Sequence, residues 1–480
     1  MKNQLLSFSV KASSNAYLYF LICFLLVFLM SLTRAFSPYT SPFDEHTHLS
    51  YVQYAFNWII PAEGYPMNSW AKSAFSCHPH AIYGAMTKVP CGQIGDGRLY
   101  PTGGTNTSQT WPPIYFFIVA ILMRLPLLFF SDPLISARIV TAFLWSIGAA
   151  WLSFQASKLA DSKLVGIGAA ALLASLPTFF YYNSSVSPHS LNPLIIATFL
   201  FISLKIINRL TDLPITTTEN QVLKAFSFFF SSKWPYLFLL FGLVVAFTIF
   251  QALDVLGFEA VFLVVSIINI GGISKKLKFV FTVCTAILTG ITAICFVKIF
   301  SFWQWQMHER RVAFPPDVNV SGANSDPADP AYISPIIRIF ARIWSFWPQV
   351  FDPGFPLGKD VSAVTSFWIF ILGGLSVTAV VVWNKSSWLS PYMLSLLVAA
   401  PVFSIAYDYF FTTDVPVRYG LAFSIIGVFG LANLNIHKFA KKLIVGFAVM
   451  TYITAFVLNP GYIEAKNCNL DSATSTIRCL

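Results

Sequence analysis

Long apolar runs separated by short polar segments dominate the chain, and most have the roughly 20 residues that an α-helix needs to cross a membrane. The run at 112–130 differs, because Pro112, Pro113, Arg124 and Pro126 interrupt it. These interruptions favour a helix that lies in the membrane interface or re-enters from one side, with a full crossing as the alternative. The other runs lie near residues 16–36, 134–156, 164–183, 190–207, 235–252, 255–273, 279–300, 364–383, 388–410, 418–436 and 442–459.

The lysines between these runs indicate which helix ends face the cytoplasm, because short cytoplasmic loops carry an excess of Lys and Arg. If 112–130 does not cross, the short lysine-bearing loops fall on one side of the membrane and the short loops without Lys or Arg fall on the other. The chain then has a cytoplasmic N-terminus, about eleven crossings and an extracytoplasmic C-terminal tail. The lysine-bearing loops are 157–163, 274–278 and 437–442, and the loops without Lys or Arg are 183–190, 252–258 and 411–417.

Composition excludes an ordinary soluble protein. Hydrophobic residues make up 56% of the chain and charged residues only 10%, against about 25% charged in a soluble domain. The formal charge of +10 is typical of Lys and Arg that anchor helices among membrane lipids, so we predict no nucleic-acid partner. The predicted fold class is an all-α polytopic integral membrane protein. Its parts are one transmembrane domain (1–459), with extracytoplasmic loops at 37–133 and 301–363 and a cytoplasmic loop at 208–234, and a C-terminal tail (460–480).

The seven cysteines divide between polar and apolar segments. Cys77 and Cys91 share the first long loop, and Cys468 and Cys479 share the C-terminal tail. Each pair is a candidate disulfide if its segment lies outside the cytoplasm, and the sequence leaves open whether either bond forms. The other cysteines lie in apolar runs, where they serve as small hydrophobic residues: Cys23, Cys284 and Cys295.

Two acids and two histidines follow the first apolar run closely: Asp44, Glu45, His46 and His48. Ionisable groups at the mouth of a transmembrane helix are costly unless they serve a function. If a helix begins at Asp44, then Asp44 and His48 share one face, and the carboxylate is a candidate general base held by the imidazole. Asp44, Glu45 and His48 are also the candidate ligands for a divalent cation. The structural alternative is that Asp44 caps an interfacial helix.

Other charged residues are weaker candidates. Arg310 and Arg311 begin the second long loop and suit a phosphate or an acceptor, although such a charge run is often only a solvated face. Asp254 and Glu259 lie at the tip of a predicted helical hairpin, and acids at membrane level are functional candidates by default.

The pattern Pro-x-Asp-Glu-x-x-His at 42–48 resembles a bacterial family of multi-spanning membrane proteins of unassigned function that is related to the GT-C glycosyltransferases. Three further motifs agree with that family in order: Trp-Pro-Pro-Ile-Tyr at 111–115, Ser-Ser-Val-Ser-Pro-His at 184–189 and Val-Arg-Tyr at 417–419. Two features depart from the family pattern. His189 stands where an Asp is usual, and the Gly-x-Gln-Gly lead-in before Arg418 is missing.

The resemblance implies a GT-C-like bundle with interfacial helices in the first outer loop. It also implies inverting transfer of a sugar from a polyprenyl-phosphate donor to an envelope glycan or glycolipid acceptor, at the extracytoplasmic face of the bacterial inner membrane. Asp44 or Glu45 would accept the proton of the acceptor hydroxyl, with His48 beside them. Mg²⁺ or Mn²⁺ is the cofactor to test. Arg418, Tyr419, Arg310 and Arg311 would bind the donor phosphate, and His189, Asp254, Glu259 and Trp111 would bind substrate.

Two other classes of function fit the same pattern. One is a transporter or flippase of lipid-linked sugars, which would move the donor without forming a glycosidic bond. The other is a non-catalytic subunit of an envelope-synthesis complex.

Overall fold

The residues that the computed structural model describes are mainly helical. Two short strands in the C-terminal tail, β1 (Cys468–Asp471) and β2 (Thr476–Cys479), form an antiparallel hairpin. The α-helices are α1 (Ser14–Ala35), α2 (Glu45–Phe56), α3 (Ser69–Cys77), α4 (Ile114–Leu122), α5 (Pro133–Leu159), α6 (Lys163–Ser175), α7 (Asn192–Thr211), α8 (Gln221–Phe230), α9 (Lys233–Ala246), α10 (Ala252–Asn269) and α11 (Lys275–Glu309). The described residues are 14–41, 45–78, 87–175, 179, 182–211, 221–248, 252–271, 273–310, 391–396, 399, 425, 426, 429, 442, 445, 446, 448–450, 452, 453, 468–471 and 476–479.

Four of the described helical segments are long and apolar enough to cross a membrane: Ala16–Ala35, Pro133–Leu159, Pro188–Thr211 and Lys275–Glu309. The pair α8 and α9 would add a fifth if it forms one span bent by 55°. These helices agree with the predicted mainly helical membrane protein. The predicted runs from residue 364 onward lie largely outside the described residues, so about eleven crossings remains a prediction.

The segment predicted not to cross the membrane is short in the structure. Helix α4 has nine residues, a length of about 14 Å, whereas the hydrocarbon core is about 30 Å thick. A 3₁₀ turn at Pro126–Leu128 follows it, and Arg124 donates a hydrogen bond to the carbonyl of Phe56 at the end of α2 (3.2 Å). Helix α4 therefore packs beside α2, and its interfacial or re-entrant position stays a prediction.

Helix α11 is longer than the sequence predicts. The second outer loop was expected to begin at residue 301, but the helix continues to Glu309. Its 35 residues span about 52 Å, well beyond the hydrocarbon thickness. The aromatic residues after position 300 belong to the same continuous helix. Among them, the indole of Trp303 donates a hydrogen bond to the carbonyl of Trp111 (3.1 Å). The end of α11 thereby reaches the long segment between α1 and α5.

Small residues let the central helix α5 pack closely against α1, α6 and α7. A Cβ atom on Gly148 would collide with the backbone of Leu194 in α7, and one on Gly166 in α6 would collide with the Tyr19 hydroxyl of α1. Helix α7 also packs against α9 and α10, so it joins the first group of helices to the group around α11.

Two contacts, one covalent and one ionic, fix the long segment between α1 and α5. Cys77 and Cys91 form a disulfide, as the sequence allowed. His78, which follows Cys77, donates a hydrogen bond from Nε2 to Asp132 Oδ2 (2.8 Å), and Asp132 caps the N-terminus of α5. Burial raises the pKa of Asp132, but the hydrogen bond and charge of His78 outweigh it and leave that pKa below its usual value.

Candidate functional site

Glu45 is a fully buried carboxylate at the start of α2, and its two oxygens accept four hydrogen bonds. Arg138 of α5 donates twice, from Nε to Oε1 (2.8 Å) and from Nη2 to Oε2 (2.6 Å). The backbone N–H groups of Ser41 (2.7 Å) and Val186 (2.9 Å) supply the other two. This bidentate pair has the geometry in which an arginine and a carboxylate interact most strongly.

The segment that follows α1 also binds Arg138. Its guanidinium donates to the carbonyls of Ser37 (2.7 Å) and Tyr39 (2.6 Å), just after α1. Burial raises the pKa of Glu45, but the charge and hydrogen bonds of Arg138, with the two backbone donors, more than offset it and leave that pKa below its usual value. Glu45 is thus an ionised carboxylate that joins the end of α1, the start of α2, α5 and the loop before α7.

His48, one turn further along α2, also binds the loop before α7. Its Nδ1 lies 2.9 Å from the carbonyl oxygen of Val186. A carbonyl can only accept, so Nδ1 carries the proton, and in the neutral ring Nε2 is the basic nitrogen. Glu45 and His48 therefore bind the N–H and the C=O of one residue, Val186, and fix it against α2.

The indole of Trp111 lies between two imidazoles. Its ring centroid is 5.8 Å from that of His48 and 5.9 Å from that of His189, both in edge-to-face arrangements. His189 also meets the ring of Tyr182 edge to face (5.4 Å). A hydrogen bond between the Thr47 and Ser108 hydroxyls (2.6 Å) attaches the turn before Trp111 to α2. We refer to His48, Trp111, Tyr182 and His189 as the aromatic cluster.

The end of helix α11 brings an imidazole and a guanidinium to the segment just after α2. His308 Nδ1 lies 3.0 Å from Glu63 Oε2, and both side chains are substantially exposed. Arg310, also exposed, donates to the carbonyl of Ile60 (3.5 Å). Burial raises the pKa of the Tyr51 hydroxyl on α2, and the nearby charge of Arg310 offsets only part of that effect.

The structure brings together some of the residues that the sequence singled out. Glu45 and His48 both bind Val186, and Trp111 lies against the rings of His48 and His189. Arg310 contacts Ile60, near the end of α2. Asp254 and Glu259 lie in α10, which packs against α7, α9 and α11. Asp44, Arg311, Arg418 and Tyr419 lie outside the described residues.

Sequence reasoning missed Arg138 and Val186. Arg138 had a usable signal, because an arginine inside a long apolar run is expected to have a specific partner. Val186 had none, since it acts through its backbone.

No group of three or more His, Cys, Asp or Glu side chains suited to a metal ion occurs in the part of the chain that the structure describes, and Asp44 is not in that part. The expectation of a divalent cation therefore stays a prediction. No protein-family model matches the chain, and no curated protein and no solved structure matches it.

Proposed function

We propose that the protein is a membrane glycosyltransferase that moves a sugar from a polyprenyl-phosphate donor to an envelope glycan or glycolipid acceptor, at the extracytoplasmic face and with inversion. One observation carries the proposal: Glu45, which Arg138 holds, and His48, which belongs to the aromatic cluster, both bind the backbone of one residue, Val186. The residues of the acidic motif and of two further motifs thus meet in space, although up to 141 residues separate them in sequence.

In this proposal Glu45 positions the base and Asp44 or His48 is the base. Glu45 is ionised and its oxygens are occupied by four donors, so it is poorly suited to take a further proton. Asp44 directly precedes it, and the protonated Nδ1 of His48 leaves Nε2 as a basic nitrogen. Asp44 or His48 would remove the proton of an acceptor hydroxyl as the hydroxyl oxygen attacks the anomeric carbon of the donor sugar. The donor phosphate would leave without needing a proton.

Sugar transfer also requires a surface that binds the sugar ring and positive charge beside the donor phosphate, and in this proposal aromatic and cationic groups supply them. The indole of Trp111 offers a face on which a sugar ring stacks. Arg310, with Arg311 and Arg418, would offset the charge that grows on the leaving phosphate, and a guanidinium suits phosphate oxygens. The Cys77–Cys91 disulfide supports an extracytoplasmic position for this loop, because such bonds persist in oxidising compartments.

Proteoliposomes supplied with polyprenyl-phosphate sugars test the proposal. Asp44→Asn and His48→Gln are each made, and we expect the variant that removes the base to lower kcat by about 100-fold to 10,000-fold. Glu63→Gln is the matched control, because it changes a carboxylate of the same loop that contacts His308 at the surface. It should keep wild-type turnover.

Full activity of both the Asp44 and the His48 variants would refute the assignment of the base. Movement of donor lipid across the bilayer without any glycosidic product would refute the transferase and support the transporter.

A further inference from the structure

A buried acid and a buried hydroxyl meet between two helices of the bundle. Both oxygens of Glu259 in α10 are fully buried and form no hydrogen bond within the described part of the chain. The hydroxyl of Ser203 in α7 is also fully buried and makes no hydrogen bond there. That hydroxyl lies against the Glu259 carboxyl, so two unsatisfied polar groups from different helices face each other.

Glu259 is fully buried well inside its helix. It is seven residues after Ala252, the first residue of α10, which puts it about 10 Å along a helix of about 27 Å. Helix α10 packs against α7 and α11, and both belong to segments long enough to cross a membrane. If α10 crosses the membrane beside them, water is scarce around Glu259.

The surroundings of Glu259 offer no compensating positive charge among the described residues. Tyr392 is near enough to interact with it electrostatically, but its hydroxyl donates to the carbonyl of Ile426 (3.1 Å), and its ring packs on Phe258 and Phe262. The other titratable groups on the packed helices form no ion pair with Glu259: Lys205 and Arg209 on α7, Lys233 and Tyr236 on α9, Asp254 on α10, and Lys275, Lys276, Lys278, Cys284, Cys295, Lys298, His308 and Glu309 on α11.

We propose that Glu259 is an exchangeable proton-binding site inside the helix bundle. An isolated carboxylate is strongly disfavoured in such surroundings, whereas uptake of one proton gives a neutral carboxylic acid whose O–H can turn to the Ser203 oxygen. A metal cation fits less well, because hard cations need several oxygen ligands and the described neighbours supply one hydroxyl beside the carboxyl.

Proton exchange at this site would couple helix packing to pH. Release of the proton leaves a negative charge between α7 and α10, and the charge would favour an arrangement that admits water. Because α7 follows directly on the turn that holds His189, such a movement would reach the aromatic cluster.

Infrared difference spectroscopy of the protein in liposomes tests the proposal. At neutral pH, wild type minus Glu259→Gln should show the carbonyl stretch of a carboxylic acid, and the band should decline reversibly as the pH is raised. Glu63→Gln should leave that band unchanged, because its carboxylate contacts His308 at the surface. Ser203→Ala keeps the acid and should shift its band, and this variant serves if Glu259→Gln does not fold.

Three results would overturn the inference. One is the absence of the band at neutral pH. The second is a band that persists from about pH 5 to about pH 10 after long equilibration, which would mark a sealed structural acid. The third is loss of the band when Na⁺ is added at constant pH, which would mark a metal cation as the ligand.

Discussion

Replacing Glu45 with Gln tests the buried ion pair at the centre of the site. The amide keeps the shape of the carboxylate but has one oxygen, so two of its four contacts would bring an N–H group against another donor. Arg138 would then keep its charge in a buried site with half of its partner lost. Removing one member of a buried pair costs about 3–5 kcal/mol, and we expect Glu45→Gln to lower the free energy of unfolding by that amount.

The assay is reversible unfolding in mixed micelles, followed by tryptophan fluorescence. Glu63→Gln is the control, because its contact with His308 is exposed and should contribute less than about 1 kcal/mol. The double variant Glu45→Gln with Arg138→Gln should lose less than the sum of the single variants, since it leaves no unpaired charge. If Glu45→Gln unfolds within about 1 kcal/mol of wild type, the pair does not stabilise the fold in this way.

Three further predictions concern other parts of the fold. Gly148→Ala should destabilise the protein by about 1–3 kcal/mol, because its new methyl group meets the backbone of α7. Gly290 has open space around it, so Gly290→Ala should be neutral or stabilising. Thermal unfolding of both variants checks this. Cys468 and Cys479 are cross-strand partners in the hairpin, so peptide mass mapping without reduction should show a Cys468–Cys479 bond in addition to the Cys77–Cys91 bond. The pKa of Asp132 is lower in the folded protein than in the unfolded chain. Ionised Asp132 therefore stabilises the fold fully above its unfolded pKa, and this stabilisation is lost as the pH falls through its folded pKa. Asp132→Asn should abolish that loss of stability at acid pH when the free energy of unfolding is measured against pH.

Local sequence patterns predicted the parts of the fold that depend on local chemistry. The prolines and Arg124 marked the short helix α4, and the acidic motif marked the start of α2 at Glu45. The partners of Glu45 were not predictable in the same way, because Arg138 and Val186 are 93 and 141 residues away in sequence. Periodicity shows which face of a helix is apolar, but it does not show which distant residue that face will meet. The extension of α11 beyond residue 300 was not predicted, because the aromatic residues there are equally typical of an interfacial belt and of a longer helix.

The long-range partners of Glu45 also have a consequence for biosynthesis. Glu45 leaves the ribosome 93 residues before Arg138 and 141 residues before Val186. Its carboxylate therefore has neither partner until α5 and the loop before α7 have been synthesised. We expect the ion pair to form only when the N-terminal end of α5 lies on the same side of the membrane as Glu45, so the pair should favour one orientation of α5. A nascent chain that stops before Val186 would carry the salt bridge but would lack the residue that Glu45 and His48 both bind.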